Sequence, residues 1–193
     1  MLYSGNADNF INYYGFSGEN LIQRPWVIFT SIFVHANFNH LISNVLVLLF
    51  FGIALEKEIN WHKFLFIFFT GAIIGEFMSL IAYSWNTVGI GASAGIFAII
   101  GAAILMTPFN LSMYPYVIPI PLGILGIIYV VYNIIGLFTG RNSNISYIAH
   151  LGGLLFGLFY GFKKRGLAKG VTMIIAISIL TLLGIIIASI IFD

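Results

Sequence analysis

Apolar residues in this chain gather into six long runs separated by short polar breaks. The runs are roughly Ile32–Leu55, Phe64–Tyr83, Gly91–Met106, Tyr116–Phe138, Ile145–Phe162 and Val171–Phe192. A helix that crosses a hydrocarbon core of about 30 Å needs about 20 apolar residues. Five runs suit that length. The third is shorter and rich in Gly and Ala, as expected of a buried central helix. The pattern predicts an all-α, polytopic membrane helix bundle of about six transmembrane helices. The connections leave no room for a soluble domain, so residues 1–193 read as one membrane domain. The stretch Met1–Pro25 is polar and aromatic, without the basic start and apolar run of a signal peptide.

Composition strengthens the membrane reading. Charged residues are 7% and hydrophobic residues 60% of the 193 positions, against about 25% charged in soluble domains. Mean hydropathy is +1.04. With no cysteine, disulfides, thiolate metal sites and a cysteine nucleophile are excluded. The basic residues form no nucleic-acid face. Six of the eight, Lys57, Lys63, Lys163, Lys164, Arg165 and Lys169, follow odd-numbered runs. By the positive-inside rule that side is cytosolic. The N-terminus and the loops Ser84–Ile90 and Thr139–Ser146 then face outward. The expected setting is a cell membrane of prokaryotic type. Tyr114, Pro115 and Tyr116 read as boundary anchors, and His62 as an interfacial residue beside Trp61.

Strongly polar side chains inside an apolar run are site candidates by default, because burying them in lipid is costly. They are His35, His40, Asn44, Glu76, Ser93 and His150. Helical rise places three of them at one depth. Asn44, Ser93 and His150 lie about 18, 22 and 20 Å above the cytosolic ends of their helices. That layer is some 10 Å below the outer surface. His40 and Asn44, four apart, share one helical face. His35 lies further out and is expected to brace the first span. Glu76 is read as protonated or bonded to polar backbone, outside the site. Glycines at four-residue spacing, Gly71/Gly75, Gly91/Gly95, Gly136/Gly140 and Gly153/Gly157/Gly161, predict closely packed helices.

The layer has a chemistry. Gly91-Ala92-Ser93-Ala94-Gly95 is a GxSxG pattern that follows a polar loop and opens a helix. Small neighbours let a substrate backbone approach, and free amides at the helix start suit a developing oxyanion. His150 is the expected base. It would take the Ser93 proton and return it to a leaving amine. Asn44 and His40 would donate to the oxyanion beside the Ser93 amide.

These residues resemble the rhomboid family of intramembrane serine proteases over about residues 24–162. His35-Ala36-Asn37-Phe38-Asn39-His40-Leu41-Ile42-Ser43-Asn44 is similar to the family's HxxxxHxxxN helix, and Gly52 to Glu56 to its GxxxE stretch. Gly91–Gly95 resembles the catalytic GxSxG, and Ala149-His150-Leu151-Gly152-Gly153 with Gly157 resembles AHxxGxxxG. The resemblance implies a rhomboid-like bundle with Ser93 as nucleophile, His150 as base, and Asn44 and His40 at the oxyanion. Phe97 would stack on the histidine where the family often has tyrosine. It further implies cleavage of single-span membrane proteins near helix-destabilising residues, within the lipid bilayer and without metal or cofactor. Three departures stand out. Only a polar stretch precedes the HxxxxHxxxN helix, and a span at about 171–192 follows the histidine helix. The family's WR pair falls on Trp26 and Val27, with Arg24 out of register.

Other classes fit less well. A zinc protease needs HExxH, which is missing. An aspartyl intramembrane protease needs two membrane aspartates, and Asp8 and Asp193 are terminal. A transporter predicts a polar path through the whole membrane, whereas these groups stop at one layer. A non-catalytic rhomboid relative that binds membrane clients is the alternative; it would be expected to lack the Ser or His, and this chain has both.

Overall fold

The computed structural model describes residues 4–110, 120–140 and 145–192. Its described residues form nine helices. Three short ones come first: α1 Ser4–Tyr14, α2 Gly18–Gln23 and α3 Val27–Phe33. Six longer ones follow: α4 Phe38–Ile59, α5 Trp61–Ala82, α6 Ser93–Met106, α7 Leu122–Thr139, α8 Tyr147–Arg165 and α9 Leu167–Phe192. The six coincide with the six apolar runs. Helices α4, α5, α7 and α9 are long and apolar enough to cross a membrane, and α6 is a shorter apolar helix. The all-helical architecture expected from the pattern is observed, with four of the six expected spans meeting that length and apolarity among the described residues.

Two boundaries differ from the sequence reading. The first span does not begin at Ile32. The chain leaves helix at Val34 and re-enters at Phe38, where the Asn37 side chain caps α4 by accepting the His40 amide at 2.9 Å. Ile32 belongs instead to α3 and to the core. The fourth span begins at Leu122, after Pro121. The anchors Tyr114, Pro115 and Tyr116 lie outside the described residues.

The polar N-terminal stretch is also more ordered in the fold than its composition implies. Helices α1–α3 cap one end of the bundle. Phe16 and Gly89 exchange both backbone hydrogen bonds, at 2.9 and 2.7 Å. Asn20 is buried and donates to the carbonyls of Asn12 and Gly15 at 2.8 and 2.9 Å. Arg24, out of register for the family's loop pair, donates to Asn20 and lies 4.6 Å over the Tyr13 ring.

At the other end, Arg165 donates to the Met106 carbonyl at 2.6 Å and approaches Glu58 at 3.7 Å. These contacts bring the basic end of α8 together with Glu58 at the end of α4 and the C-terminus of α6. His62 stacks on Trp61 there.

Helix α6 is the axis. Every residue from Ala94 to Met106 is buried. Lipid removes the hydrophobic drive for helices to associate, so close backbone packing has to hold them. Small residues supply it. A Cβ on Gly153 would run into the Ala94 carbonyl, and one on Gly157 into the Ala98 carbonyl. A Cβ on Gly101 would sit 2.6 Å from the Leu154 carbonyl, and one on Gly95 2.7 Å from that of Phe68. The Gly153 contact falls beside Ser93 and one turn from His150. It therefore sets the register of the two helices where the polar residues meet.

Gly153→Val is expected to lower the thermal unfolding midpoint in detergent and to separate Ser93 from His150. Overpacking costs about 1–3 kcal/mol even when side chains can give way, and here the obstacle is backbone. Gly184→Val is the control, since no described residue lies within 4 Å of a Cβ there. Equal midpoints for the two variants would contradict this packing account.

Candidate active site

Ser93 is the first residue of α6, and the preceding Ala92 gives no side-chain cap. The opening amides of a helix have no intrahelical acceptor. They therefore remain donors at the mouth of the site. The loop before them turns at Gly91, whose φ of +106° suits glycine and strains other residues. The Gly91 amide donates to the Ser31 carbonyl at 2.9 Å, which ties the loop to α3.

His150 lies one turn into α8. Its Nε2 is 2.8 Å from Ser93 Oγ. The Phe97 ring, four residues after Ser93 on the same face of α6, stacks on the imidazole at 4.4 Å and 11°. The sequence placed these groups at one depth, and the fold brings them into contact.

His40 and Asn44 approach from α4. The position of a Cβ on Gly91 would be 3.0 Å from His40 Nε2 and 3.7 Å from Asn44 Nδ2. Both groups thus flank the loop two residues before Ser93. The Ala36 amide donates to His40 Nδ1 at 3.4 Å. In the neutral ring this leaves the hydrogen on Nε2, facing Gly91. Asn44 Nδ2 is buried and makes no hydrogen bond to a described residue. A buried donor without a partner among the described residues is uncommon. His35 is not at the serine. Its ring meets His40 edge-on at 5.0 Å, and its Nδ1 is 3.2 Å from the Phe33 carbonyl. Its contacts are thus with the segment before α4 and with the His40 ring.

Glu76 lies outside this set, as expected, but its partner is a side chain. It accepts from the buried Ser31 hydroxyl. Because the Ser31 carbonyl holds Gly91, α5 is coupled through α3 to the loop that leads into Ser93.

One residue escaped the polar inventory. Asn133 of α7 is 1% exposed, with its Oδ1 2.9 Å from His150 Nδ1 and its Nδ2 3.1 Å from the Tyr147 carbonyl. The signal was available. Asn133 stands alone among aliphatic and aromatic neighbours, six residues before the end of α7. That puts it about 9 Å from the helix end, at the depth of the other polar groups.

The arrangement can activate a hydroxyl. It pairs a serine with an imidazole at a helix N-terminus and sets N–H donors near them, inside a bundle built for lipid. A polytopic helical membrane protein with such a pair defines a narrow class, and comparison with known proteins identifies the family. The Rhomboid domain model matches residues 23–167, and the chain belongs to the rhomboid family. It is 29% identical over 157 residues to Rhomboid-like protease 1 of Toxoplasma gondii, covering 80% of this chain and 53% of that protein. It is 30% identical over 137 residues to the Putative rhomboid protease YdcA of Bacillus subtilis, covering 71% and 66%. Rhomboid protease GluP of the same bacterium is 31% identical over 176 residues, covering 88% and 33%. The chain thus spans between about a third and two thirds of the length of these relatives.

Proposed function

We propose that this protein is a rhomboid-type serine endopeptidase that hydrolyses peptide bonds of single-span membrane proteins within the bilayer. The observation that carries this reading is the 2.8 Å contact between Ser93 Oγ and His150 Nε2. In the proposed reaction His150 Nε2 takes the Ser93 proton as Oγ attacks the scissile carbonyl. The negative charge on the carbonyl oxygen is met by the Ser93 amide, Asn44 Nδ2 and His40 Nε2. His150 then gives its proton to the leaving amine. Water, deprotonated by His150, releases the acyl group and restores Ser93.

Substrate preference follows from backbone chemistry. In a transmembrane helix the carbonyls are already hydrogen-bonded within the segment. Attack therefore favours places where Gly, Pro or polar residues loosen the helix. We place the site on the extracytosolic side of a prokaryotic-type cell membrane. Arg165 of the basic end touches Met106, and Ser93 is thirteen residues away along α6, or about 20 Å. Water would reach the serine from the near, outer face. No metal or cofactor is needed in this scheme.

Covalent labelling tests the proposal. The purified protein is treated with a fluorophosphonate probe, digested and mapped. Adduct on Ser93, blocked by prior incubation with a single-span substrate and missing after His150→Ala, is the expected result. An active preparation that labels elsewhere would overturn it, and a folded preparation that neither labels nor cleaves would favour the client-binding alternative.

A further inference from the structure

We propose that Asn133 is the positioning residue for His150, so that the site is a Ser–His–Asn arrangement in which an amide on α7 fixes the imidazole's tautomer and its rotation within the ring plane. The inference rests on the reading of Ser93 as nucleophile and His150 as base.

Two features of Asn133 set it apart. It is 1% exposed in an otherwise apolar helix, where an amide is costly unless bonded. Both ends of that amide are used. The Tyr147 carbonyl can only accept, so the NH₂ end of Asn133 faces it at 3.1 Å. The carbonyl end is thereby turned toward His150 Nδ1 at 2.9 Å. An amide oxygen has no hydrogen to offer, so Nδ1 must carry one. A neutral imidazole has a single N–H. Nε2 is therefore left with its lone pair directed at Ser93 Oγ. This is the only neutral tautomer that can receive the serine proton. In the other, an Nε2–H would oppose the hydroxyl and the pair would have no base.

The same geometry serves the charged intermediate. When Nε2 takes the Ser93 proton, Nδ1–H keeps its acceptor. The amide oxygen is too weak a base to remove that hydrogen, so no second proton transfer follows. The role of Asn133 is orientation, together with a dipole directed at the imidazolium. Phe97 stacked on the ring fixes its plane, and Asn133 fixes its rotation within that plane.

Packing holds Asn133 in register. Gly136 lies one turn further along the same face of α7. A Cβ there would collide with the Tyr147 ring. The missing side chain lets α7 approach α8 where Tyr147 and His150, also one turn apart, face it.

Three proteins test the inference: wild type, Asn133→Leu and Asn133→Asp. Leucine fills the volume without an acceptor, and aspartate restores one. In Asn133→Leu, kcat for a single-span substrate is expected to fall roughly 10- to 10³-fold, a smaller loss than that caused by disturbing the buried carboxylate of the Ser-His-Asp template. KM should hold within about threefold, since a group acting only on the transition state leaves it alone. Asn133→Asp is expected to recover most of the rate. A second readout is independent of turnover. ¹⁵N NMR of histidine-labelled protein, with the His150 signals assigned by their loss in His150→Ala, should show neutral His150 as the Nδ1–H tautomer in wild type and a mixture in Asn133→Leu. Nε2–H in wild type, or unchanged kcat and tautomer in Asn133→Leu, would overturn the inference. So would Asn133→Asp no more active than Asn133→Leu. If Asn133→Leu does not fold, wild type and Asn133→Asp decide. If wild type fails to cleave any substrate, the protease reading falls, while an Nδ1–H signal still supports the positioning role.

Discussion

Ser93→Ala is expected to abolish cleavage of a reconstituted single-span substrate while leaving the bundle folded. The size of the loss follows from how the residues act together. When nucleophile and base work as one unit, removing either forfeits nearly the whole effect, about 10⁶-fold in the best-studied serine enzyme. A loss of at least about 10⁴-fold is expected here on the same logic. Stability should barely change. The hydrogen bond recorded for Ser93 Oγ is the one to His150, and such a bond is worth about 1 kcal/mol net. Alanine also suits the start of an apolar helix. Turnover and thermal unfolding of the same detergent preparation therefore separate chemistry from folding. His150→Ala should be equally inactive but less stable, because it removes a ring stacked on Phe97 and bonded to Asn133. Wild-type turnover in Ser93→Ala would remove the proposed nucleophile. Activity lost together with cooperative unfolding would point to structural damage instead.

The parts of this site that are legible in the sequence are those that pattern along one helix. His40 and Asn44 share a face, and GxSxG opens a run of small residues. His150 lies three residues before Gly153, whose contact with Ala94 brings α8 beside Ser93. In lipid each polar residue stands out because its burial is costly, and the Gly71/Gly75 and Gly153/Gly157/Gly161 spacings mark packed faces, whereas Gly91 turns the loop before α6 and Gly140 is the left-handed cap of α7. Depth arithmetic at about 1.5 Å per residue then brings the groups into one layer. What could not be read was the pairing of elements distant in sequence. The bridge between Phe16 and Gly89 and the bond from Gly91 to Ser31 join segments whose polarity alone says loop. The three short helices before α4 depend on buried side chains such as Asn20, which satisfies backbone groups that no periodic pattern records. The break between α3 and α4 was hidden because Ile32, Phe33 and Val34 are as apolar as a span. Val34 turns extended after α3, and the cap at Asn37 starts a new helix. Asn133 was missed for a related reason. It has no polar neighbour at helical spacing, and its significance comes from a partner on α8.

Asn44→Ala is the second large effect. Cleavage is expected to slow by about 10²-fold or more, the range found when an oxyanion donor is removed. The loss should fall on kcat, because the charge that Asn44 would meet exists only after attack has begun. His40→Ala is expected to act in the same direction, and the two losses should not add fully, since both donors would serve one oxygen. Stability offers the sharper discrimination. A structural asparagine holds a partner, and its removal leaves that partner unsatisfied, which costs about 1–3 kcal/mol. Asn44 Nδ2 is buried without a hydrogen bond to any described residue, so alanine breaks none there and the unfolding midpoint should not fall. A donor that is buried beside Gly91 without a partner among the described residues would be free to meet a charge that develops there. A variant with near-normal kcat and a lowered midpoint would assign Asn44 to the fold and leave the oxyanion to the α6 amides and His40. The expected pattern, slow turnover with unchanged stability, requires that Asn44 act on the reaction itself.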